Sequence, residues 1–411
     1  MNILEFLHDS YQESLRNVAQ VQSDTYEGAL KKYRDSFLSE LILLRDKKDN
    51  VNQEINNKTY EIIKIVNEIL VDEIEEFFNK IISIYIDWID SKGKIALSNF
   101  EELLDSINYK KFKYDLSNNI LFRGRFSNSI LTPWDMFHIP FNKRYLIGNQ
   151  RYSLTGQPLL YLGFSILDVL AELDSDFENY DNVKLCAYKL TDNFRVLDLR
   201  NEFYEYFQYD PLENMVINSD ENSKLSYNDV KEKFFKFILS SVCSFGKRQE
   251  HKEYSFCEEY VLPQMLAQIA KDNGFKGILY GSTKLKDRHN DMLHKTAYKD
   301  NVAIFTNFGN EHVYDYKLYN SMKISNPVSK EKIKKIEIEE VKELCDQIKL
   351  LDKNNELKDY YLIGERLDND FSEIRINDKK YFDLSVGQMH IYLVYNVLID
   401  IRNECIIKGR D

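Results

Sequence analysis

An α+β fold is what this sequence predicts. Three observations carry the prediction: a helical opening, a middle built of short strands, and a charged, helical close. Residues 1–118 show almost uninterrupted helical periodicity. From Asn119, short apolar runs bounded by Gly, Pro, Asn and Asp take over, as strands require. After residue 310 the chain becomes Lys/Glu-rich and helical again. The expected organisation is a helical domain over 1–118, an α+β domain over 119–310, and a mainly helical C-terminal extension over 311–411 that is open to a regulatory part.

In the first part, Tyr33, Phe37, Leu41 and Leu44 share a helical face. Val66, Leu70, Ile74, Phe77, Ile81, Ile84 and Trp88 then follow one another in steps of four and three, which is a heptad seam. Such a seam packs against a partner helix. That helix belongs either to the same chain, the commoner arrangement, or to a second copy joined through a dimerising arm. The middle part offers strands at Ile120–Phe126, Leu159–Leu162, Lys184–Leu190, Arg195–Leu199, Gly277–Tyr280 and Val302–Phe305. Among them lies a helix with Val261, Leu262, Met265, Leu266 and Ile269 on one face, Pro263 in its first turn and Asn273-Gly274 as its stop. Glu258 and Glu259, just ahead of it, are expected to serve its N-terminal dipole. Closing helices are expected over Glu331–Leu351 and near Gln388–Ile401. With only 14 Gly and 6 Pro there is no obvious flexible linker, so the parts are expected to pack on one another.

Hydrophobic residues make up 43% and charged residues 30%, the balance of a globular rather than a disordered chain. A net charge of −12 disfavours general binding to nucleic acid or anionic membrane, yet leaves room for a local basic patch that holds one small anion. The apolar run Ile81–Ile89 is too short to span a bilayer and is broken by Asp87. Cys186, Cys243, Cys257, Cys345 and Cys405 are odd in number and never in a CxxC arrangement. With no signal peptide in view, they are expected as reduced thiols of a cytoplasmic protein. The seven histidines lack HxxxH or HxH pairing, so no metal site is expected.

The densest chemistry lies in Leu121–Leu173. There Arg123, Arg125, Lys143, Arg144 and Arg151 face a single carboxylate, Asp135, as far as Gln157. In the strand ILFRGRF, alternation sends Phe122 and Gly124 to one side and Arg123 and Arg125 to the other. An arginine fork projecting from a strand suits phosphate oxygens. Arg151 and Tyr152 precede Ser153 and Thr155-Gly156, a turn that lets backbone approach a ligand. Tyr161 in LLYLG can lay its ring on an aromatic base or sit in the core. Glu172 follows an apolar helical face, and His138 in MFHIP can donate to a phosphate, although such a histidine is more often structural. Taken singly, each residue is more commonly an ordinary surface or core residue.

The combination is more specific. The run QRYSLTGQPLLYLGFSILDVLAEL, with FRGR upstream and EEYVLPQMLAQIAKDNGFKGILYGS downstream, resembles the RES domain, a bacterial family named for an arginine, a glutamate and a serine. By motif context these are Arg123 in LFRG, Glu172 in LAEL and Ser282 in GILYGS. The resemblance covers residues 120–307, and LSSVCSFGKRQEHKEYSFCEEYVLPQ is similar to the family's longer branch.

The resemblance implies an ADP-ribosyltransferase-like mixed sheet. It also implies cleavage of the nicotinamide–ribose bond of NAD+ by hydrolysis or phosphorolysis, in the service of a growth-arresting toxin or defence effector. Glu172 would then stabilise an oxocarbenium-like ribose, as carboxylates do in glycoside hydrolysis. Arg123 and Arg151 would clamp the pyrophosphate, and Tyr161 would stack on nicotinamide. Ser282 would bond the amide or ribose, and Tyr152 and His138 would line the same pocket. NAD+ is the implied substrate, no separate cofactor is implied, and an antitoxin or regulatory protein is the implied partner. The flanking helical regions depart from the compact toxins of the family; restraint, sensing and recruitment are all open to them. Two other readings stay open: transfer of ADP-ribose to a macromolecule, and a non-catalytic nucleotide-sensing module on a helical scaffold.

Overall fold

A computed structural model describes residues 2–46, 57–190, 193–203, 226–251, 254–284, 300–309, 312–352, 362–372, 374–376 and 378–408. The helices up to the middle of the chain are α1 (Ile3–Phe6), α2 (Asp9–Val21), α3 (Tyr26–Asp46), α4 (Asn57–Glu68), α5 (Val71–Ile89), α6 (Gly93–Ser106), α7 (Pro133–Met136) and α8 (Ile166–Glu172). Beyond them come α9 (Tyr227–Cys243), α10 (Val261–Asp272), α11 (Tyr316–Asn320), α12 (Ile338–Leu351), α13 (Ile363–Phe371) and α14 (Ser385–Lys408). The strands are β1 (Lys113–Asp115), β2 (Ile120–Phe126), β3 (Leu159–Gly163), β4 (Val183–Leu190), β5 (Arg195–Asp198), β6 (Gly277–Gly281), β7 (Asp300–Phe305), β8 (Met322–Ile324), β9 (Arg375–Ile376) and β10 (Lys379–Lys380). The predicted α+β class, with helical regions at both ends, is what the structure has.

The chain divides into two compact units. The first, Met1–Lys113 with Gly148–Leu154 and Asp198–Gly274, is helical. The second, Tyr114–Ile147 with Thr155–Leu197 and Phe275–Asp411, holds the sheet and the C-terminal helices. This differs from three consecutive stretches, because residues 198–274 join the N-terminal helices rather than the strands that flank them in sequence. Polar anchors between distant segments hold them there. The Tyr26 hydroxyl donates to Val242 O at 3.1 Å, and Gln20 Nε2 donates to Gly246 O at 2.8 Å.

Glu258 and Glu259 belong to the same joint, which corrects their expected capping role. No side chain caps α10. Glu258 accepts the Tyr26 amide at 3.0 Å, while buried Glu259 takes Gln20 Nε2 at 3.3 Å and faces Arg248 at 3.6 Å. The heptad seam is used inside the chain as well. Ile74, Phe77, Ile81 and Ile84 are buried on α5, which packs on α3 and α6 of the same unit.

In the second unit the eight-stranded curled sheet runs in the order β1-β5-β6-β7-β3-β2-β4-β8. The pairs β2–β3, β2–β4, β3–β7, β4–β8 and β6–β7 are antiparallel. Strand β4 is apolar on both sides because the sheet separates two cores. Cys186, Tyr188 and Leu190 enter one of them, with Leu121, Leu160, Val302 and Ile304. Val183, Leu185 and Ala187 enter the other, with Phe122, α8 and the helices α12, α13 and α14. The C-terminal region therefore completes a core. Its first long helix starts at Ile338, later than the expected Glu331, where Glu337 and Glu340 form a capping box.

Gly387 lets α14 start hard against the turn before it: a Cβ there would stand 2.1 Å from Tyr381 O and 2.6 Å from Tyr381 C. Backbone cannot swing aside as a side chain can. Gly387→Ala is expected to destabilise this unit by about 1–3 kcal/mol, read as a lower denaturant midpoint at unchanged slope. An unchanged midpoint would show that the contact can relax. Among the described helices none is long and apolar enough to cross a membrane, and all five cysteines are free thiols.

Candidate functional site

The site is built where α8 ends on the sheet. A capping box starts the helix: the Asp168 amide bonds Ser165 Oγ at 3.1 Å, and Asp168 Oδ2 accepts the Ser165 amide at 3.0 Å and its hydroxyl at 2.8 Å. Gly163 lets the helix settle, since a Cβ there would stand 2.9 Å from the Asp168 Cβ. Burial pushes the Asp168 carboxyl well above the usual carboxylate range, and the nearby charges of Asp300 and Glu172 push the same way. Its Oδ1 is buried without a hydrogen-bond partner among the described residues.

Glu172 is the last residue of α8 and is exposed. Its Oε1 accepts two hydrogen bonds, from Ser282 Oγ at 2.9 Å and from Asn301 Nδ2 at 2.8 Å. The helix end is clipped by Lys284, whose Nζ donates to Glu172 O at 2.9 Å and to Asp174 Oδ2 at 2.9 Å. Two of the three motif residues, 110 positions apart, are thus in direct contact. Ser282 also accepts the Lys284 amide at 3.2 Å. Its one hydroxyl proton is spent on Glu172, so in this arrangement it has no donor left for an amide or ribose.

Tyr161 shares this side of the sheet. It stands opposite Ala303 in the β3–β7 register, two residues from the Gly163–Asn301 pair, and is half-buried. Arg123 does not join the cluster. The alternation of β2 turns it away from α8, opposite Cys186, into the core that holds Tyr188. Burial pushes the Cys186 thiol up to about 12 and raises the Tyr188 phenol too, so both stay neutral. Arg123 forms no ion pair with the described residues, and its buried Nη1 has no hydrogen-bond partner among them. An uncompensated guanidinium in such surroundings suits an anion.

His138 is bonded to the backbone around it. Its Nδ1 bonds Ile139 O at 2.8 Å and its Nε2 accepts the Asp315 amide at 2.9 Å, so both ring nitrogens are occupied. Burial also lowers its pKa. Arg151 and Tyr152 lie in the first unit. There Arg151 Nη1 donates to Cys243 O at 2.6 Å and Phe245 O at 2.9 Å, and its guanidinium lies 5.1 Å from the Tyr260 ring centre. It holds the end of α9, a structural use that composition did not suggest. Tyr152 is buried.

Sequence reasoning missed Asn301, Lys284 and Asp168. The only signal for Asn301 is a polar Asp-Asn pair opening the otherwise apolar strand DNVAIF. Among the described residues no cluster of three or more His, Cys, Asp or Glu could hold a metal ion. The surface cleft lined by Asp105, Asn108, Lys110, Lys111 and Lys113 contains none of the site residues.

Comparison with known proteins gives one curated relative to report. The chain is 30% identical over 257 residues to "Putative toxin YopC" of Bacillus subtilis (strain 168), a match covering 56% of this chain and 52% of that protein. The chain thus spans about half the length of the relative it matches. No family model matches the sequence, and no solved structure matches it.

Proposed function

We propose that the second unit is an NAD+-cleaving enzyme of toxin type, with Glu172 at the reacting ribose. The observation that carries this reading is the bonded pair of Glu172 and Ser282, the glutamate and serine of the RES-like motif. The name of the relative, a toxin, supports the cellular role. An ADP-ribosyltransferase-like fold and an antitoxin or regulatory partner belong to the same reading.

In this mechanism the ribose C1′–N1 bond breaks and its electron pair returns to the pyridinium ring, releasing neutral nicotinamide. Positive charge develops on the ribose, and the Glu172 carboxylate offsets it. Water or phosphate then bonds to C1′, giving ADP-ribose and a proton, or phosphorylated ADP-ribose. Arg123 enters as an anion partner on the other side of β2, not as a neighbour of Glu172.

The test is incubation of the full chain with NAD+, with and without phosphate, read by mass spectrometry. Free nicotinamide with ADP-ribose or its phosphate is expected, and Glu172→Gln should lower turnover by about 10²–10³-fold, the scale of losing one electrostatic stabiliser. Labelled protein or nucleic acid would show transfer to a macromolecule instead. Unchanged turnover in Glu172→Gln would remove Glu172 from the mechanism.

A further inference from the structure

We propose that Asn301 is the positioning residue of this site: with Ser282 it ties down Oε1 of Glu172 and leaves Oε2 as the oxygen that meets substrate. The inference rests on the reading of Glu172 as the reacting carboxylate, but its geometry stands apart from any substrate. Among the described residues, both donors to the carboxylate converge on one oxygen, at 2.8 and 2.9 Å. Among the described residues Oε2 accepts neither. A carboxylate held by one oxygen keeps its orientation and presents the other with its charge intact.

The two donors are held unequally. Ser282 lies just past the end of β6 and is half-exposed, so water competes for its hydroxyl. Asn301 is 4% exposed and fixed in β7 between two partners, opposite Gly163 on one side and Tyr280 on the other. Its amide is aimed by the sheet. A buried amide that lost Glu172 would also leave a donor unsatisfied, so the pair holds both residues in place. The neighbouring charges make that orientation matter. Asp168 lies close enough to both Glu172 and Asp300 to feel their charges, and Lys284 pairs with Asp174 beside the site at 2.9 Å. Without the Asn301 donor, Glu172 would face these carboxylates with only the Ser282 hydroxyl to hold it.

The experiment follows the Glu172 carboxyl itself, by carbon-13 NMR in full-length protein labelled at the glutamate δ carbon, with its signal assigned by loss in Glu172→Gln. Asn301→Leu keeps the approximate shape and removes the donor without adding a charge. Asn301→Val, which suits a strand, is the second variant should the first fold poorly. In each the carbon-13 signal of the Glu172 carboxyl at neutral pH is expected to move from its position in the parent, because the carboxylate loses a hydrogen bond. NAD+ consumption should fall with it, with the loss in kcat rather than in KM. A folded variant whose Glu172 signal is unmoved overturns the positioning role. If the signal moves but the parent protein consumes no NAD+, the functional reading falls and the positioning of Glu172 by Asn301 stands.

Discussion

Deleting residues 311–411 is expected to unfold the second unit rather than to release an active catalytic fragment. The C-terminal helices, with α8, cover the β2–β4 part of one side of the sheet. Phe122, Ile166, Leu167, Val169, Leu170, Tyr180, Val183, Leu185 and Ala187 share a single core with residues of α12, α13 and α14 such as Leu344, Phe371, Met389 and Val394. The Tyr180 hydroxyl donates to Ser385 O at 2.9 Å across this junction. Fully burying one such apolar side chain contributes about 1.5–3 kcal/mol. Losing half of the cover over those nine residues would remove about 7–13 kcal/mol, which is comparable with the ~5–15 kcal/mol that holds a typical domain together. Helix α8 lies in that core, so Glu172 would lose its support with it. The expected result is a truncated chain that aggregates or binds a hydrophobic dye and shows no cooperative melt of the sheet unit. A fragment that melts cooperatively and keeps the parent's NAD+ turnover would make the C-terminal region a removable addition.

That prediction also marks how far the sequence could be read. Strands β2 to β7 were legible because each is a run of four to eight residues with a clear apolar pattern bounded by turn formers. Strand β8, three residues that pair with β4 at the sheet's edge, is too short to show alternation. Ownership was harder. The periodicity around Val261 marks a helix, but nothing local says that it joins the N-terminal helices; that is decided by Gln20, Tyr26 and Arg151 meeting residues 92 to 232 positions away. The contact of Glu172 with Ser282 was legible only as a motif. Asn301 carries no pattern of its own and gains meaning from the strand register that aims it. Arg123 was placed on the correct side of its strand by alternation, yet alternation could not show that α8 packs on the other.

Acid is expected to destabilise the second unit from about pH 6.5 downward, through His390. This histidine is 2% exposed in α14, with its ring 4.5 Å from those of Phe122 and Phe371 and its Nδ1 3.1 Å from the Tyr381 hydroxyl. Burial lowers its pKa to about 3. An unfolded histidine titrates near 6.5. A folded value below the unfolded one means that the contribution is fully present above about pH 6.5 and is lost as pH falls towards 3, because the unfolded chain takes up the proton first. The full span amounts to about 5 kcal/mol, of which about 2 kcal/mol is gone by pH 5. Buried His138 shifts in the same direction and adds to the loss. Asp168 works against it: its raised pKa makes the fold more stable as pH falls, from the raised value down to the unfolded one near 3.9. For a unit of this size the His390 share corresponds to a fall in Tm of about 4–8 °C between pH 7.5 and 5. His390→Phe keeps an aromatic ring between Phe122 and Phe371 without a site for the proton. It should flatten the acid slope of Tm by close to one proton's worth, even if it lowers Tm throughout by leaving Tyr381 without its partner. An identical slope in His390→Phe and the parent would mean that the acid sensitivity lies elsewhere, with His138 the next residue to replace.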